Sequence, residues 1–278
     1  MNYILAVSGG IDSVVLLHYM VQRGGRFVVA HFDHGMRPKS SADARFVAAL
    51  AAHYGLPFVS RREELAGQGE AAARRRRYRF LHEVAQEYNG RIVTAHHRDD
   101  AVETIALNIQ RGTRWRGVAG MSDPRLERPL SAWSKRAVYE YAAAQRLEWV
   151  EDATNQSPCY TRNRLRRRLG QCGDELLASK LYELWQKQQR LRAAIEQEGR
   201  ALLPQLDSRY FVIMAPESAA QELLYQRVLE ATGVSLLSSQ LAALLIAIKT
   251  GRPGTVWQPA GGVRVKLSRK NVTIERVD

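Results

Sequence analysis

Ser8-Gly9-Gly10-Ile11-Asp12-Ser13 sets two glycines, two hydroxyls and a carboxylate between the apolar run Tyr3–Val7 and a stretch of helical spacing, Ser13–Gln22. Paired glycines let a backbone approach an anion closely and take unusual dihedral angles. The start of the following helix offers unpaired N–H groups and the positive end of a dipole. Ser8 and Ser13 add hydroxyl donors. A plain strand-to-helix turn with a serine or aspartate cap is the competing explanation, but one cap does not require so many small polar residues together. The segment lacks the Gly-Lys-Ser/Thr ending of a Walker loop and the Gly-x-Gly-x-x-Gly of a dinucleotide fingerprint.

Five further segments could carry chemistry. In His96-His97-Arg98-Asp99-Asp100-Ala101-Val102-Glu103-Thr104, Asp100 and Glu103 stand three apart and share a helix face. Such a carboxylate pair suits an ammonium group or a metal, whereas ordinary helix-start acidity explains Asp99 or Asp100 better than Glu103. The adjacent histidines diverge, so no zinc site is expected from them. In Glu70-Ala71-Ala72-Ala73-Arg74-Arg75-Arg76-Arg77-Tyr78, the residues Glu70, Arg74 and Arg77 recur at helical spacing. They form either a solvated Glu–Arg face or a set of guanidinium forks for phosphates. His31-Phe32-Asp33-His34-Gly35-Met36-Arg37 closes a second strand, where open α/β sheets bind ligands. Arg111-Gly112-Thr113-Arg114-Trp115-Arg116-Gly117 and Tyr160-Thr161-Arg162-Asn163-Arg164-Leu165-Arg166 interleave cations with aromatics, which suits RNA through phosphate pairing and base stacking.

The whole chain supports a polyanionic partner. Its 278 residues carry 41 Lys+Arg against 28 Asp+Glu, a formal charge of +13, and charge of that size speaks of partners rather than of fold. Arg162, Arg164, Arg166, Arg167 and Arg168 crowd together in one sign, unlike solubilising surface charge. Apolar runs such as Val14–Leu17 and Leu241–Ile248 are too short to span a membrane. No basic leader precedes the first strand, and Cys159 and Cys172 are the only cysteines. A cytoplasmic protein is expected, without a disulfide framework.

These residues need a scaffold, and the first half of the chain supplies alternating strand and helix patterns. Strands are expected at Tyr3–Val7, Phe27–Phe32, Phe58–Val59, Arg91–Ala95 and Leu147–Val150. Helices are expected at Ser13–Gln22, Ser41–His53, Glu70–Tyr88, Asp99–Gln110 and Trp133–Gln145. Strand–helix–strand units of this kind imply a parallel sheet covered on both faces. Trp149 reads as core. Beyond Gly173 the pattern changes to a long helix, Glu175–Leu203, a strand candidate at Tyr210–Met214 and helices at Ala219–Thr232 and Ser239–Ile248. Strands at Thr255–Gln258, Val263–Leu267 and Val272–Arg276 follow. The expected organisation is an α/β catalytic domain over 1–172, a helical connector over 173–204 and a small α+β domain over 205–278.

The loop resembles that of the ATP-pyrophosphatase (PP-loop) superfamily, whose members split ATP between the α and β phosphates. Taken in order, the loop, His-x-Asp-His-Gly-x-Arg, Glu-x-x-x-Arg-x-x-Arg-Tyr, His-x-x-Asp-Asp-x-x-Glu-Thr, Arg-Pro-Leu, Trp-x-Glu-Asp and Tyr-x-Arg-Asn-x-x-Arg resemble the tRNA(Ile)-lysidine synthetase family. The resemblance runs from residue 5 to about residue 168. It implies an adenine-nucleotide α-hydrolase-like fold, ATP and Mg2+ as cofactors, and L-lysine and the minor isoleucine tRNA with a CAU anticodon as partners. It implies a ligase that adenylates the wobble cytidine and attaches lysine at C2. The nucleotide would lie on Ser8, Gly9, Gly10, Ile11, Asp12 and Ser13, with Asp12 toward the metal. Arg74 or Arg77 would meet the pyrophosphate, Asp100 and Glu103 the lysine, and Arg162 the tRNA or the adenylate. Arg111, Arg114 and Arg166 would contact the tRNA. The chain carries one small C-terminal domain where longer members have two, and a homodimer is the candidate assembly. Two other classes compete. A tRNA thiolase needs catalytic cysteines that Cys159 and Cys172 match poorly, and a non-catalytic RNA-binding protein leaves the phosphate loop unexplained.

Overall fold

The computed structural model describes residues 2–35, 40–64, 69–113, 115–121, 123, 125–151 and 175–277. It divides into two compact units, Met1–Gln189 and Arg190–Asp278.

In the first unit, strands β1 (Asn2–Ala6), β2 (Arg26–Asp33), β3 (Phe58–Arg62), β4 (Gly90–Val93) and β5 (Leu126–Glu127) form one sheet in the order β3-β2-β1-β4-β5. All its pairings are parallel. Helices α1 (Ile11–Gln22), α2 (Ser40–His53), α3 (Glu70–Glu87), α4 (Arg98–Gln110), α5 (Trp115–Val118) and α6 (Lys135–Ala144) connect and cover the strands. Because successive side chains of a strand alternate between faces, β1 feeds two cores. Leu5 lies beside Val29 and Val93 under Val15 and Leu16 of α1. Its neighbour Ile4 lies beside Val28 and Ile92 under Phe80, Leu81 and Val84 of α3. Burial on both faces explains why β2 reads as a nearly unbroken apolar run. Truncating such a residue, as in Leu5→Ala, costs about 2–5 kcal/mol.

The sequence expectations meet the structure closely in this unit, with two departures. The possible strand at Leu147–Val150 forms no strand; Val150 N–H instead donates to Gly9 O at 2.9 Å, and Trp149 packs against the α1 core. The strand β5 escapes the sequence pattern, because two residues carry no periodicity.

Helix α7 (Glu175–Leu202) contains the division between the units. Its first half is tied to the first unit by side-chain donors on backbone carbonyls. Tyr182 Oη donates to Ser131 O at 3.0 Å, Trp185 Nε1 to Gly120 O at 2.8 Å, and Gln189 Nε2 to Ala119 O at 3.0 Å.

The second unit continues with a 3-10 turn (Leu203–Asp207), α8 (Arg209–Met214), α9 (Glu217–Thr232), α10 (Ser238–Thr250) and the antiparallel sheet β6 (Val256–Ala260), β7 (Val263–Leu267), β8 (Val272–Arg276). Its core gathers Leu206, Val212, Leu224, Leu244 and Val265. The expected strand at Tyr210–Met214 is the helix α8. Five consecutive apolar residues cannot distinguish strand from helix, and Ser208, whose hydroxyl accepts from Phe211 N–H, caps a helix there. Arg209 is buried and knits this unit together. Its Nε donates to Ile248 O at 2.8 Å, and its backbone N–H to Lys270 O at 2.7 Å.

Three histidines give the first unit an acid sensitivity. Burial is the leading cause that lowers the imidazole pKa of His18, His34 and His82, and Arg77 and Arg125 lower those of His34 and His82 further. In the unfolded chain these rings take protons near pH 6.5. In the folded chain they do so only at lower pH, so the unfolded state binds more protons and stability falls as pH drops below about 6.5. The thermal midpoint is therefore expected to decline between about pH 7.5 and pH 5.5, ahead of carboxylate titration. A flat midpoint over that range would contradict the depressed values.

Candidate active site

The strand order reverses direction between β1 and β4, so the connections leaving their C-terminal ends diverge and open a crevice. The Ser8–Ser13 loop leaves β1, and the His96–Asp100 segment leaves β4.

Ser13 is the hub of the loop. Its Oγ accepts from Ser8 N–H and Gly9 N–H, both at 3.1 Å, and donates to Gly10 O at 2.8 Å. The hydroxyl is thus spent inside the loop. Gly9 takes φ +93°, a backbone conformation that favours glycine. Once these bonds are made, the N–H groups of Gly10, Ile11 and Asp12 begin α1 with no acceptor in the helix. Ser13→Ala is expected to strand two amide donors at about 1–3 kcal/mol each. The urea midpoint should fall accordingly; an unchanged midpoint would mean other contacts hold the loop.

Three helix N-termini meet around Asp12. Asp12 lies in the first turn of α1, and its Oδ1 accepts from Lys135 Nζ at 2.6 Å. Lys135 opens α6, and its backbone N–H donates to Asp99 Oδ2, which lies in the first turn of α4. Ser134 caps α6, its Oγ accepting from Ala137 N–H at 3.1 Å. At the head of α4, Asp100 Oδ2 accepts from His97 N–H at 3.0 Å. The His97 ring is buried among carboxylates, with Nε2 3.8 Å from Asp12 Oδ1 and 3.6 Å from Asp100 Oδ2, and Nδ1 3.8 Å from Asp99 Oδ2. Converging helix N-termini are suited chemically to an anion. The carboxylates around His97 add a complementary cation-binding edge.

The sequence reading singles out neither Lys135 nor His97 as a site residue. Lys135 is separated from Asp12 by 123 positions. The available signal is local: Ser134 caps a helix whose first residue is a cation, against the preference of that end for anions. By sequence, His97 comes into question only as a zinc ligand, whereas its neighbours in the structure are carboxylates.

The other expected residues fall as follows. Asp100 is engaged as the reciprocal cap of α4, and Glu103, one turn on, is buried at 4% exposure. Arg74 is exposed on α3, and its guanidinium covers the Tyr78 ring at 4.8 Å. Arg77 is half-buried, with its guanidinium 5.5 Å from the centroid of the same ring. Arg111 is exposed at the end of α4. Arg114, Arg162 and Arg166, with Arg37, Cys159 and Cys172, lie outside the described residues, as does the side chain of Glu70.

The PP-loop domain family matches residues 1–172. This chain belongs to the PP-loop family. The PP-loop chain is 37% identical over an alignment of 290 residues to a tRNA(Ile)-lysidine synthase of Thermus thermophilus, covering 98% of this chain and 56% of that protein. It is 42% identical over 169 residues to the tRNA(Ile)-lysidine synthase of Solibacter usitatus, covering 58% of this chain and 38% of that one. The PP-loop chain therefore spans little more than half the length of the first of these relatives and less of the second. Among solved structures, the U34-tRNA thiolase of Methanococcus maripaludis superposes with a TM-score of 0.56 at 16% identity, over 69% of this chain and 71% of that one. At that identity the likeness is one of fold.

Proposed function

We infer that this PP-loop protein is a tRNA(Ile)-lysidine synthetase. It adenylates the wobble cytidine of the CAU-anticodon isoleucine tRNA and attaches L-lysine at C2, acting in the cytoplasm. The observation that carries this reading is the Asp12 crevice, where the N–H groups of Gly10, Ile11 and Asp12, which have no acceptor within α1, adjoin the helix of Asp99, Asp100 and Glu103. An anion subsite and an ammonium subsite side by side are what this two-step reaction requires. The relatives that align along the chain support the same reading.

In the first step, O2 of the cytidine attacks the α-phosphorus of ATP, the bond to the β-phosphate oxygen breaks, and pyrophosphate leaves. In the second, the lysine ε-amine attacks C2, loses a proton, and AMP departs with O2. The N–H groups of Gly10, Ile11 and Asp12 hold phosphate oxygens, and such preorganised donors act most where charge develops. Asp100 and Glu103 orient the lysine. Magnesium fits Asp12. No group of three or more His, Cys, Asp or Glu residues gathers to hold a metal among the described residues. The ion would therefore take one carboxylate with phosphate oxygens and water, the coordination Mg2+ favours. When bound, it supplies charge neutralisation along the phosphate chain.

The tRNA would also meet the small C-terminal domain expected over residues 205–278, within the second unit. Arg209 links the last turn of α10 and the residues after it to the β7–β8 turn, and these carry Lys249, Arg252, Arg269 and Lys270. Tyr210, 70% exposed, lines a cleft of about 530 Å³ with Arg269, Lys270 and Asn271. Cations beside an exposed ring suit phosphate pairing and base stacking.

The test is incubation with labelled lysine, ATP and a transcript of the minor isoleucine tRNA. Lysine incorporation with matching AMP release is expected, and a transcript with uridine at the wobble position should accept none. AMP release without lysine incorporation would overturn the assignment.

A further inference from the structure

Lys135 places an ammonium against the phosphate loop from another part of the chain. Its Nζ stands 2.6 Å from Asp12 Oδ1, and both side chains are about one-third exposed, at 36% and 34%. The root of the side chain is fixed by the backbone bond to Asp99, and its tip lies 5.2 Å from the centroid of the Tyr139 ring, one helical turn on. Lys135 is the first residue of α6, and no acidic residue occupies that helix's first turn. A cation at the positive end of a helix is electrostatically misplaced unless an anion faces it. Asp12 is that anion here. Yet an exposed pair of this kind contributes little to stability, so folding alone does not account for a lysine in this position. Asp12 is also the carboxylate that the metal would take, and a metal bound there would compete with the ammonium for it.

We propose that Lys135 is a phosphate ligand of the adenylation step, parked on Asp12 in the nucleotide-free protein and transferred to the β- and γ-phosphate oxygens when ATP binds. The inference rests on the reading that the loop takes ATP. No proton leaves Lys135 in the step. The electron pair of the bond between the α-phosphorus and the bridging oxygen departs with pyrophosphate, and the ammonium remains charged beside it. Asp12 thereby pairs the ammonium charge and holds the lysine within reach.

The test is binding in EDTA, without nucleotide turnover, of α,β-methylene-ATP and of AMP to the wild-type protein, Lys135→Met, Asp12→Asn and the double variant. Loss of a charged hydrogen bond in Lys135→Met should weaken the triphosphate analogue about 10- to 100-fold and leave AMP little changed. Asp12→Asn, which frees the ammonium and removes a repelling carboxylate, should tighten the analogue. Removing Lys135 in the Asp12→Asn background should weaken the analogue by at least as much as Lys135→Met does in the wild-type background. Lys135→Arg keeps the charge and should restore most of the affinity, guarding against a packing effect. Undiminished analogue binding in Lys135→Met, or equal losses for analogue and AMP, would overturn the role. Wild-type protein that binds neither nucleotide would overturn the ATP reading itself, a result distinct from the first.

Discussion

Asp12→Ala should lower tRNA-dependent AMP formation by about 100-fold or more, the scale seen when a group that meets developing charge is removed. Asp12 stands at the N-terminal turn of α1, beside N–H groups that have no acceptor within the helix, and its carboxylate already holds the Lys135 ammonium. Its side chain is one-third exposed, and its partner Lys135 is equally so. Surface pairs of that kind contribute little to stability, so the thermal midpoint of the variant should stay near that of the wild type. Pyrophosphate release and the midpoint, measured on the same preparation, separate the two effects. Near-normal release from a folded variant would remove Asp12 from the chemistry.

Glu103→Gln should split the two half-reactions. Glu103 is buried on α4, one turn beyond Asp100, so glutamine keeps the shape and removes only the charge. If the carboxylate meets an amine of lysine, its loss costs about 1.5–3 kcal/mol, a rise of roughly 10- to 100-fold in apparent lysine KM. Adenylation, followed as lysine-independent pyrophosphate release with tRNA present, should persist. A parallel fall in both half-reactions with lysine KM unchanged would place Glu103 in the scaffold of α4 and not in the lysine subsite. Asp100 is the poorer test, because its Oδ2 also caps His97 N–H, and Asp100→Asn would disturb the helix start together with any ligand.

What is readable from sequence is what is local. The phosphate loop closes within six residues: Ser13 bonds Ser8 and Gly9, and Gly9 needs its positive φ, so residue types alone mark the turn. The strands β1, β2 and β4 announce themselves as apolar runs because both faces are covered. The helices show their spacing because each buries a stripe. Distant partners leave no such trace. The Asp12–Lys135 pair spans 123 positions and exists because α1 and α6 pack on the same face of the sheet. The ring of carboxylates around His97 likewise needs the ends of β1 and β4 to be neighbours, which only the sheet order supplies. At Tyr210–Met214 an apolar run is compatible with strand or helix, and the second core, by burying Val212 while leaving Tyr210 and Met214 outside, settles it as a helix. Helix α7 is legible as a helix, but its attachment is not. The carbonyls of Ala119, Gly120 and Ser131 that receive its donors become a surface only once the loop carrying them has folded. Sequence thus determined most of the elements and the Ser8–Ser13 turn, since hydrogen bonds and hydrophobic stripes of short range decide those. Tertiary structure decided which charges face one another at the turn, since that depends on which helix ends the sheet brings together.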